Sequence, residues 1–417
     1  MKILNFGSCN IDYVYQLEHI VTDGETEQSV QMDIFPGGKG LNQSVAAARA
    51  GAPIYHAAVI GTDGGFLAEI LKSNGADVSL IKTADVKNGH AVIQVNSQGE
   101  NAIIVYPGTN HLIDKAYADA VLSHFESGDL IMLQNEISEI KYIINRAHSR
   151  GMKVVFNPSP ISENLENLKL SEISYLIMNE LEAKRLLGGE SAEQCLELAK
   201  EKIPETAVVI TLGKRGAVYQ SRDKKVYQSA FKAQAVDTTA AGDTFAGYFA
   251  AGLCRNEPIE SILKTASAAS AIAVSRHGAA PSIPTLTEVK EAMPEMTERP
   301  GNAEDAERLK KIADYVSGNL KEATLGGLSA ELNYSYYAAG NLVRRLTGMS
   351  FTEYVQQRRL ESALRMLLSS SMPISEIAAA VGYENDSFFR RKFKEKYNVT
   401  PKKCRMRKEF ESEKGLK

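Results

Sequence analysis

Short, continuously apolar runs rich in β-branched residues recur along the front of the chain: KILNFGS, HAAVIG, DLIMLQNE, KVVFNPSP, YLIMNE and AVVITLG. Each is strand length, and helical patterns such as NQSVAAARAG and EIKYIINRAHSRG lie between several of them. Strands apolar on both faces, alternating with helices, predict a parallel sheet covered by helices on both sides. Two segments break the scheme. YVYQLEHI with EQSVQMDIF, and HAVIQVNSQGENAIIVY, read as antiparallel hairpins, the second turning at Asn96–Glu100. They predict a small β-layer projecting from the main sheet.

The pattern changes near Met293–Asn302. MPEMTERPGN holds two prolines, a glycine and several charges without apolar period, and reads as a linker. Beyond residue 305 only helical spacing is evident, as in Tyr354, Val355, Ala363, Leu364, Leu367 and Leu368. LGGLSAELNYS and ISEIAAAVGYENDS share one form: an apolar helix, a polar turn and a serine opening the next helix. The expected division is a domain at 1–295, a linker at 296–304, a second domain at 305–408 and a tail at 409–417.

Composition adds little until charge is split along the chain. At 417 residues, 44% apolar and 24% charged, this is an ordinary globular protein of one to three domains. No apolar run is long enough to span a bilayer, and KILNFGSCNID reads as a first strand and not a leader. Cys9, Cys195, Cys254 and Cys404 are scattered without CxxC spacing, which argues against a disulfide framework or a zinc cluster and for a cytoplasmic setting. Residues 1–300 carry 27 Lys and Arg against 36 Asp and Glu, whereas residues 301–417 carry 21 against 15. An acidic front and a basic back predict two functions with different partners.

The chemistry concentrates at turns. In VDTTAAGDTFAGYFAAGL (Val236–Leu253), Ala240, Ala241 and Gly242 enter a helix with almost no side chains, and Asp243 stands beside them. Amides at a helix start lack intrahelical partners and carry partial positive charge, so the turn suits a transferring phosphoryl group. A carboxylate there cannot bind phosphate but can take a proton from an attacking hydroxyl. The plain alternative is an N-capping aspartate in a tight turn. FPGGKGLNQSVAAARAG (Phe35–Gly51) is a second glycine turn opening a helix, without the Ser or Thr a P-loop places after its lysine. Gly37, Gly38 and Gly40 would let a ligand approach the backbone, with Lys39 and Asn42 as donors to sugar hydroxyls. Asn10, Asp12 and Glu136 sit at strand ends, where open α/β sheets bind ligands; each acid alone could equally be a solvated loop residue. Asn179 and Glu182, three apart, could reach a nucleotide phosphate and the waters of a magnesium ion. TLGKRGA (Thr211–Ala217) runs from a strand into a glycine turn suited to a nucleotide, or to an ordinary hairpin.

Together these motifs resemble the ribokinase branch of the phosphofructokinase-B sugar kinase family over about residues 1–295. GGKGLNQSVAAARAGA and DTTAAGDTFAGYFAAGL match its two signatures, and GENAIIVYPGTN, NPSP, NELEA, TLGKRGA and AIAVSRHGAAPSIP match in the family's order. The resemblance implies that Asp243 deprotonates the sugar's primary hydroxyl and that the amides of Ala240, Ala241, Gly242 and Asp243 form the anion hole. It implies a sugar site of Asn10, Ile11, Asp12, Gly38, Lys39, Gly40, Leu41, Asn42, Glu136 and Asp243. Asn179, Glu182, Thr211, Leu212, Gly213, Lys214, Arg215, Gly216 and Ser267 would hold ATP with Mg2+, alongside Gly242 and Asp243. Asp237, Thr239, Ala273, Arg276, Gly278 and Ser282 match the positions around a potassium ion behind the anion hole. The projecting β-layer would be a lid that excludes water and pairs in a homodimer. The sugar-site set favours D-ribose, phosphorylated on its 5-hydroxyl. Cys9 inside GSCN is a small departure.

Ser387–Lys408 holds ten basic residues and one acid, Glu395. A solvated charge run is the plain reading, but this one follows a helix–turn unit, where basic groups can neutralise DNA phosphates. Residues 305–408 resemble the DNA-binding domain of the arabinose-regulator (AraC/XylS) family through LTGMSF, FTEYVQQRRLESALRMLL and ISEIAAAVGYENDSFFRRKFKEKYNVTP. This implies two helix–turn–helix units, with recognition helices at about Ser335–Arg345 and Asp386–Lys396. Ser387, Arg390, Arg391 and Lys394 would face DNA. The first unit departs from the pattern at Gly340, Asn341 and Val343, and glycine inside a helix costs about 1 kcal/mol relative to alanine. The expected whole is an α/β sugar kinase with a β-lid followed by an all-α DNA-binding domain that regulates sugar-utilisation genes. The alternatives are a regulator whose kinase domain is a catalytically weak sensor, and a kinase for another pentose or hexose.

Overall fold

The computed structural model describes residues 1–405 apart from 163–164, 166, 299–301, 348 and 371. Part of the expected linker, the end of the basic run and the tail at 409–417 lie outside the described residues. The chain divides into two compact units, Met1–Asn302 and Ala303–Lys417.

The first unit contains strands β1 (Ile3–Phe6), β2 (Asn10–Gln16), β3 (Gln31–Gly37), β4 (Ile54–Ala57), β5 (Val59–Ile60), β6 (Lys82–Thr83) and β7 (Gly89–Val95). It continues with β8 (Asn101–Tyr106), β9 (Leu130–Gln134), β10 (Lys153–Asn157), β11 (Tyr175–Asn179), β12 (Ala207–Thr211), β13 (Ala217–Gln220) and β14 (Lys225–Gln228). The main sheet is ordered β14-β13-β12-β11-β10-β9-β1-β4. It is parallel from β4 to β12, and β13 and β14 close one edge as an antiparallel hairpin. The apolar runs announce the parallel strands but not this hairpin, whose strands are four residues each. HAAVIG, expected as one strand, divides between β4 and β5, and β5 pairs with β6 outside the main sheet.

Side chains alternate across each strand. Ile3, Met132, Val155, Ile177 and Val209 pack against the helices Lys39–Arg49, Ala241–Cys254 and Ile259–Ala273. Leu4, Ile131, Val154, Leu176 and Val208 pack on the other face with the helices Lys115–Leu122, Ile140–Ser149, Glu180–Leu187 and Ala192–Lys202. The helices Lys39–Arg49 and Ala241–Cys254 lie very close, because a Cβ on Gly247 would come within 2.4 Å of the Ala46 Cβ.

The projecting layer is a four-stranded sheet, β3-β2-β7-β8. Each expected hairpin is antiparallel, and the two join through a parallel β2–β7 ladder. Ile103, Ile104, Val105 and Tyr106 are all exposed. Successive residues point to opposite faces, so both faces of this edge strand are uncovered.

The second unit is helical throughout its described residues: Asn302–Gly318, Leu325–Glu331, Tyr336–Thr347, Phe351–Ser369, Ile374–Ala380 and Asp386–Tyr397. The long helix Phe351–Ser369 serves two small cores. Phe351, Tyr354 and Val355 join Ile312, Leu328 and Val343. Leu360, Ala363 and Leu367 join Ile377, Phe389 and Phe393. Gly340 lies against Leu325, with 3.3 Å from an ideal Cβ to its Cδ2, so the helix Tyr336–Thr347 is tightly seated where its sequence departs from the pattern.

Candidate active site

Three segments from distant parts of the chain converge at the carboxyl ends of the strands. The first is the end of β1. A Cβ on Gly40 would stand 2.3 Å from the Ser8 amide nitrogen, and one on Gly7 would stand 2.6 Å from the Gly40 Cα. Gly38 opens the helix Lys39–Arg49 at φ +92°, a conformation that favours glycine. A Cβ on Gly37 would collide with the Asp12 carboxylate. Glycine is therefore required at Gly37 and Gly40 by the protein's own Asp12 and the Gly7–Ser8 backbone. Ile11 and Leu41 likewise turn their side chains into the core, so only their backbone can face a ligand.

The polar groups around this crossing are charged and mostly buried. Glu136 Oε2 accepts from Ser8 Oγ at 2.5 Å and from the Lys39 amide at 2.9 Å. Burial pushes its carboxyl up, opposed by Lys39. Burial, then the charge of Glu136, raises Asp12 to about 7. Asn10 Oδ1 accepts from Asn110 Nδ2 at 2.6 Å. Lys39 is held protonated chiefly by Asp243.

Asp243 lies in the first turn of the helix Ala241–Cys254 and is 5% exposed. It is not an N-cap: Ala240 caps this helix without a side-chain hydrogen bond. The carboxylate instead accepts from Asn42 Nδ2 at 3.2 Å and Gln43 Nε2 at 3.0 Å. Burial raises its pKa and Lys39 opposes the rise. The Ala241 amide turns back to the Thr238 carbonyl at 3.3 Å, which leaves those of Gly242 and Asp243 as the principal donors of the helix mouth. Gly242 is exposed, and nothing lies within 4 Å of where its Cβ would stand. That side of the helix mouth is open.

Asn179 and Glu182 form a reciprocal capping box on the helix Glu180–Leu187, each side chain accepting from the other's amide at 2.9 Å. The box holds the Glu182 carboxylate near enough to raise the pKa of both Lys39 and Asp243. Thr211 ends β12, Leu212 is buried, and Gly213, Lys214 and Arg215 form a short turn closed by Gly216 at φ +107°. Arg215 pairs with Glu180. Ser267 is buried on the helix Ile259–Ala273.

Behind the helix mouth, Asp237 accepts from the Thr239 amide at 2.9 Å, the Thr239 hydroxyl at 2.5 Å and the Gly278 amide at 3.0 Å. Burial raises its pKa, but these bonds outweigh it and hold the carboxyl below its usual range. An ionised carboxylate stitched to two loops suits a monovalent cation. Ser282 Oγ is turned to the Ala279 carbonyl, Arg276 pairs with Glu288, and Ala273 is buried with its carbonyl in a turn.

Four residues of this site are not among those the motifs single out. Asn5, Gln134 and Asn157 are polar positions at or near the ends of the apolar strands β1, β9 and β10. They join Gln43 in one hydrogen-bonded group with Asp243. A lone amide inside an otherwise apolar strand is the sequence feature that marks them.

In the second unit, Ser387, Arg390, Arg391 and Lys394 are exposed on one stripe of the helix Asp386–Tyr397, opposite the buried Phe389 and Phe393. Arg390 pairs with Asp386 at 2.7 Å, and Arg391 lies 3.8 Å from Glu395 and stacks on Phe388 at 5.2 Å.

A parallel α/β sheet with a buried acid at an uncapped helix mouth defines a phosphotransferase that acts on a hydroxyl group. Residues 1–286 match the pfkB family carbohydrate kinase model, and the chain belongs to that family. The ribokinase of Bacillus subtilis strain 168 is 34% identical over 297 residues, covering 70% of this chain and 99% of that one. Among solved structures, the ribokinase of Thermotoga maritima superposes with a TM-score of 0.65 at 34% identity, covering 71% of this chain and 99% of that one. The Arabidopsis thaliana ribokinase complexed with ribose and ATP superposes at 0.62 with 29% identity, covering 70% and 98%. Residues 328–407 match a helix-turn-helix domain model.

Proposed function

We propose that residues 1–295 transfer the γ-phosphoryl group of ATP to the 5-hydroxyl of D-ribose, giving ribose 5-phosphate and ADP. The observation that carries this reading is the buried Asp243 carboxylate next to Gly242, whose Cβ side is open, at the start of the helix. Asp243 takes the hydroxyl proton, the alkoxide oxygen bonds to the γ-phosphorus, and the bond to the β,γ-bridging oxygen breaks toward ADP. The amides of the helix mouth and Lys39 face the charge that spreads over the phosphoryl oxygens. Asn10, Asp12, Asn42 and Glu136 bind the sugar hydroxyls, and the relatives named ribokinase favour ribose as that sugar.

Asn179, Ser267 and the Thr211–Gly216 turn flank the nucleotide, with Glu182 ordering the water shell of its Mg2+. Asp237 and nearby carbonyls would hold K+, whose charge would steady the loop that carries the helix-mouth amides. The β3-β2-β7-β8 sheet closes over the sugar, and the exposed strand residues pair two copies. A coupled ADP-release assay over a panel of pentoses and hexoses tests the assignment. Turnover strongest on ribose supports it, and turnover on a hexose alone overturns it.

Residues 305–408, reached through the segment 296–304, bind DNA and regulate sugar-utilisation genes. The exposed basic stripe at Ser387–Lys394 supports this. Operator affinity measured with and without saturating ribose tests the regulatory link, and an unchanged affinity counts against it.

A further inference from the structure

The two donors on Asp243 are primary amides, and an amide can present its oxygen as readily as its nitrogen. Two sets of contacts prevent that for Gln43: its Nε2 also donates at 3.3 Å to Asn157 Oδ1, whose own Nδ2 is held on the Ile177 carbonyl at 2.9 Å, and its Oε1 meets a chain of buried side chains. Gln43 Oε1 accepts from Gln134 Nε2 at 2.7 Å, and the same nitrogen donates to Asn5 Oδ1 at 3.1 Å. Asn5 Nδ2 donates to the Gly40 carbonyl and to Ser44 Oγ, both at 2.8 Å. Asn5, Gln43 and Gln134 are each no more than 1% exposed.

A backbone carbonyl only accepts. Asn5 must therefore turn its nitrogen to Gly40, which leaves its oxygen facing Gln134. Gln134 must then present nitrogen to both Asn5 and Gln43, so Gln43 shows oxygen to Gln134 and nitrogen to Asp243. Each orientation follows from the one before, back to a group that cannot flip. The arrangement leaves Gln134 Oε1 buried without a partner, so this amide is not oriented by its own satisfaction. Beyond Ser44 the chain ends on His56, with Ser44 Oγ 2.7 Å from Nδ1, and on Cys9 Sγ, 3.3 Å from Nε2. Burial holds that imidazole neutral, pushing it down to about 3.

We propose that Gln43, Gln134 and Asn5 are positioning residues for phosphoryl transfer: a directional amide chain, anchored on the Gly40 carbonyl, that forces a donor onto Asp243 Oδ1. The chain keeps the carboxylate in one orientation and favours its ionised form, the form that can accept a proton. This rests on the reading of Asp243 as the base. The charged groups facing Asp243 are Lys39 on the helix Lys39–Arg49, Glu182 on the helix Glu180–Leu187 and Glu136 after β9. None of them is altered by the variants below.

The test is the pH profile of kcat in Gln43→Leu and in Gln134→Met, with Asp243→Asn as the reference, each checked for native circular dichroism. Without its donor, Asp243 ionises less readily. The acid limb in Gln43→Leu is expected to move up by roughly one pH unit, with KM for ribose and ATP within about twofold of wild type. Gln134→Met keeps the side-chain volume and does not touch Asp243, and it should move the limb the same way by less. An unmoved limb in whichever of the two folds overturns the chain. A limb that moves supports it, since a purely structural residue would lower active protein without moving the profile. Asp243→Asn separates the layers. If it retains turnover, the base assignment falls; if it is inactive and the limbs stay put, only the amide chain falls.

Discussion

Asn42 and Asp243, 201 positions apart, meet where Nδ2 of one donates to Oδ2 of the other at 3.2 Å. The contact joins the opening turns of two helices, one entered from a glycine-rich turn and the other from a turn of small residues. It exists because Gly247 lets those helices pack closely. Asn42 Oδ1 is buried without a partner, so this side chain holds the acid with one end and has a free acceptor at the other. Asp243→Ala removes the proposed base and an acceptor of both Asn42 and Gln43. Its kcat should fall by at least about 10²-fold, the lower end for general-base loss, with KM for ATP little changed. Steady-state kinetics on folded protein checks this. A kcat within tenfold of wild type would show that the carboxylate is not the base.

Two glycine-to-alanine changes should give opposite results. At Gly242 the new methyl meets no protein atom within 4 Å. Alanine also favours a helix by up to about 1 kcal/mol over glycine. Gly242→Ala should therefore melt no lower than wild type yet lose activity, because the methyl occupies the space proposed for the phosphoryl group. At Gly40 the methyl meets the Ser8 and Gly7 backbone at 2.3 and 2.5 Å. Gly40→Ala should lower the melting temperature and with it the sugar site. A destabilised Gly242→Ala with normal kcat/KM per folded molecule would contradict the open helix mouth.

The difference between these glycines shows where sequence reading stops. The motifs place both in turns that open helices, and the alternation of apolar runs gives the parallel sheet and the hairpin layer. Spacing carries no information on what fills the third dimension. Gly40 and Gly37 are occupied by the chain's own atoms, whereas Gly242 is open. Asn179 and Glu182, three apart, read as contacts for a nucleotide phosphate and magnesium waters, and spacing alone does not show that they also cap a helix, with an acid that reaches the site electrostatically. Asn5, Gln43 and Gln134 escape the motifs because their partners lie up to 200 positions away. The short β13–β14 hairpin escapes because its stability comes from pairing with β12 and not from its own composition.

Asp12 gives a prediction with a defined pH. Burial and Glu136 raise its carboxyl to about 7 in the free protein. A carboxylate that accepts two hydroxyl bonds from the sugar must be ionised. Ionisation is half complete at this value, nearly complete about a unit above it, and is lost as pH falls through it. The kcat/KM for ribose should drop progressively below pH about 7, through KM more than kcat, and Asp12→Asn should flatten that limb while raising KM throughout. Initial rates across about pH 5.5–8.5 at saturating ATP check it. A pH-independent KM for ribose in wild type would remove Asp12 from the sugar site.

The last prediction concerns the second unit. Ser387, Arg390, Arg391 and Lys394 lie at positions 0, 3, 4 and 7 of one exposed stripe, so they can meet a duplex together. They are not equivalent. Arg390 is engaged by Asp386 at 2.7 Å and must exchange that partner for a phosphate, so part of its gain is offset. Lys394 has no ion pair among the described residues, and a phosphate it neutralises releases counterions at no such cost. Each phosphate contact contributes about 0.9 to the slope of log affinity against log salt on duplex DNA. Lys394→Ala should flatten that slope by nearly this amount and weaken binding alike on specific and random duplexes. Arg390→Ala should flatten it less, unless the arginine also reads a base, in which case it alone relaxes sequence preference. Fluorescence anisotropy over a salt series with both duplexes separates the cases, and slopes unchanged in both variants would place the DNA surface elsewhere on the domain.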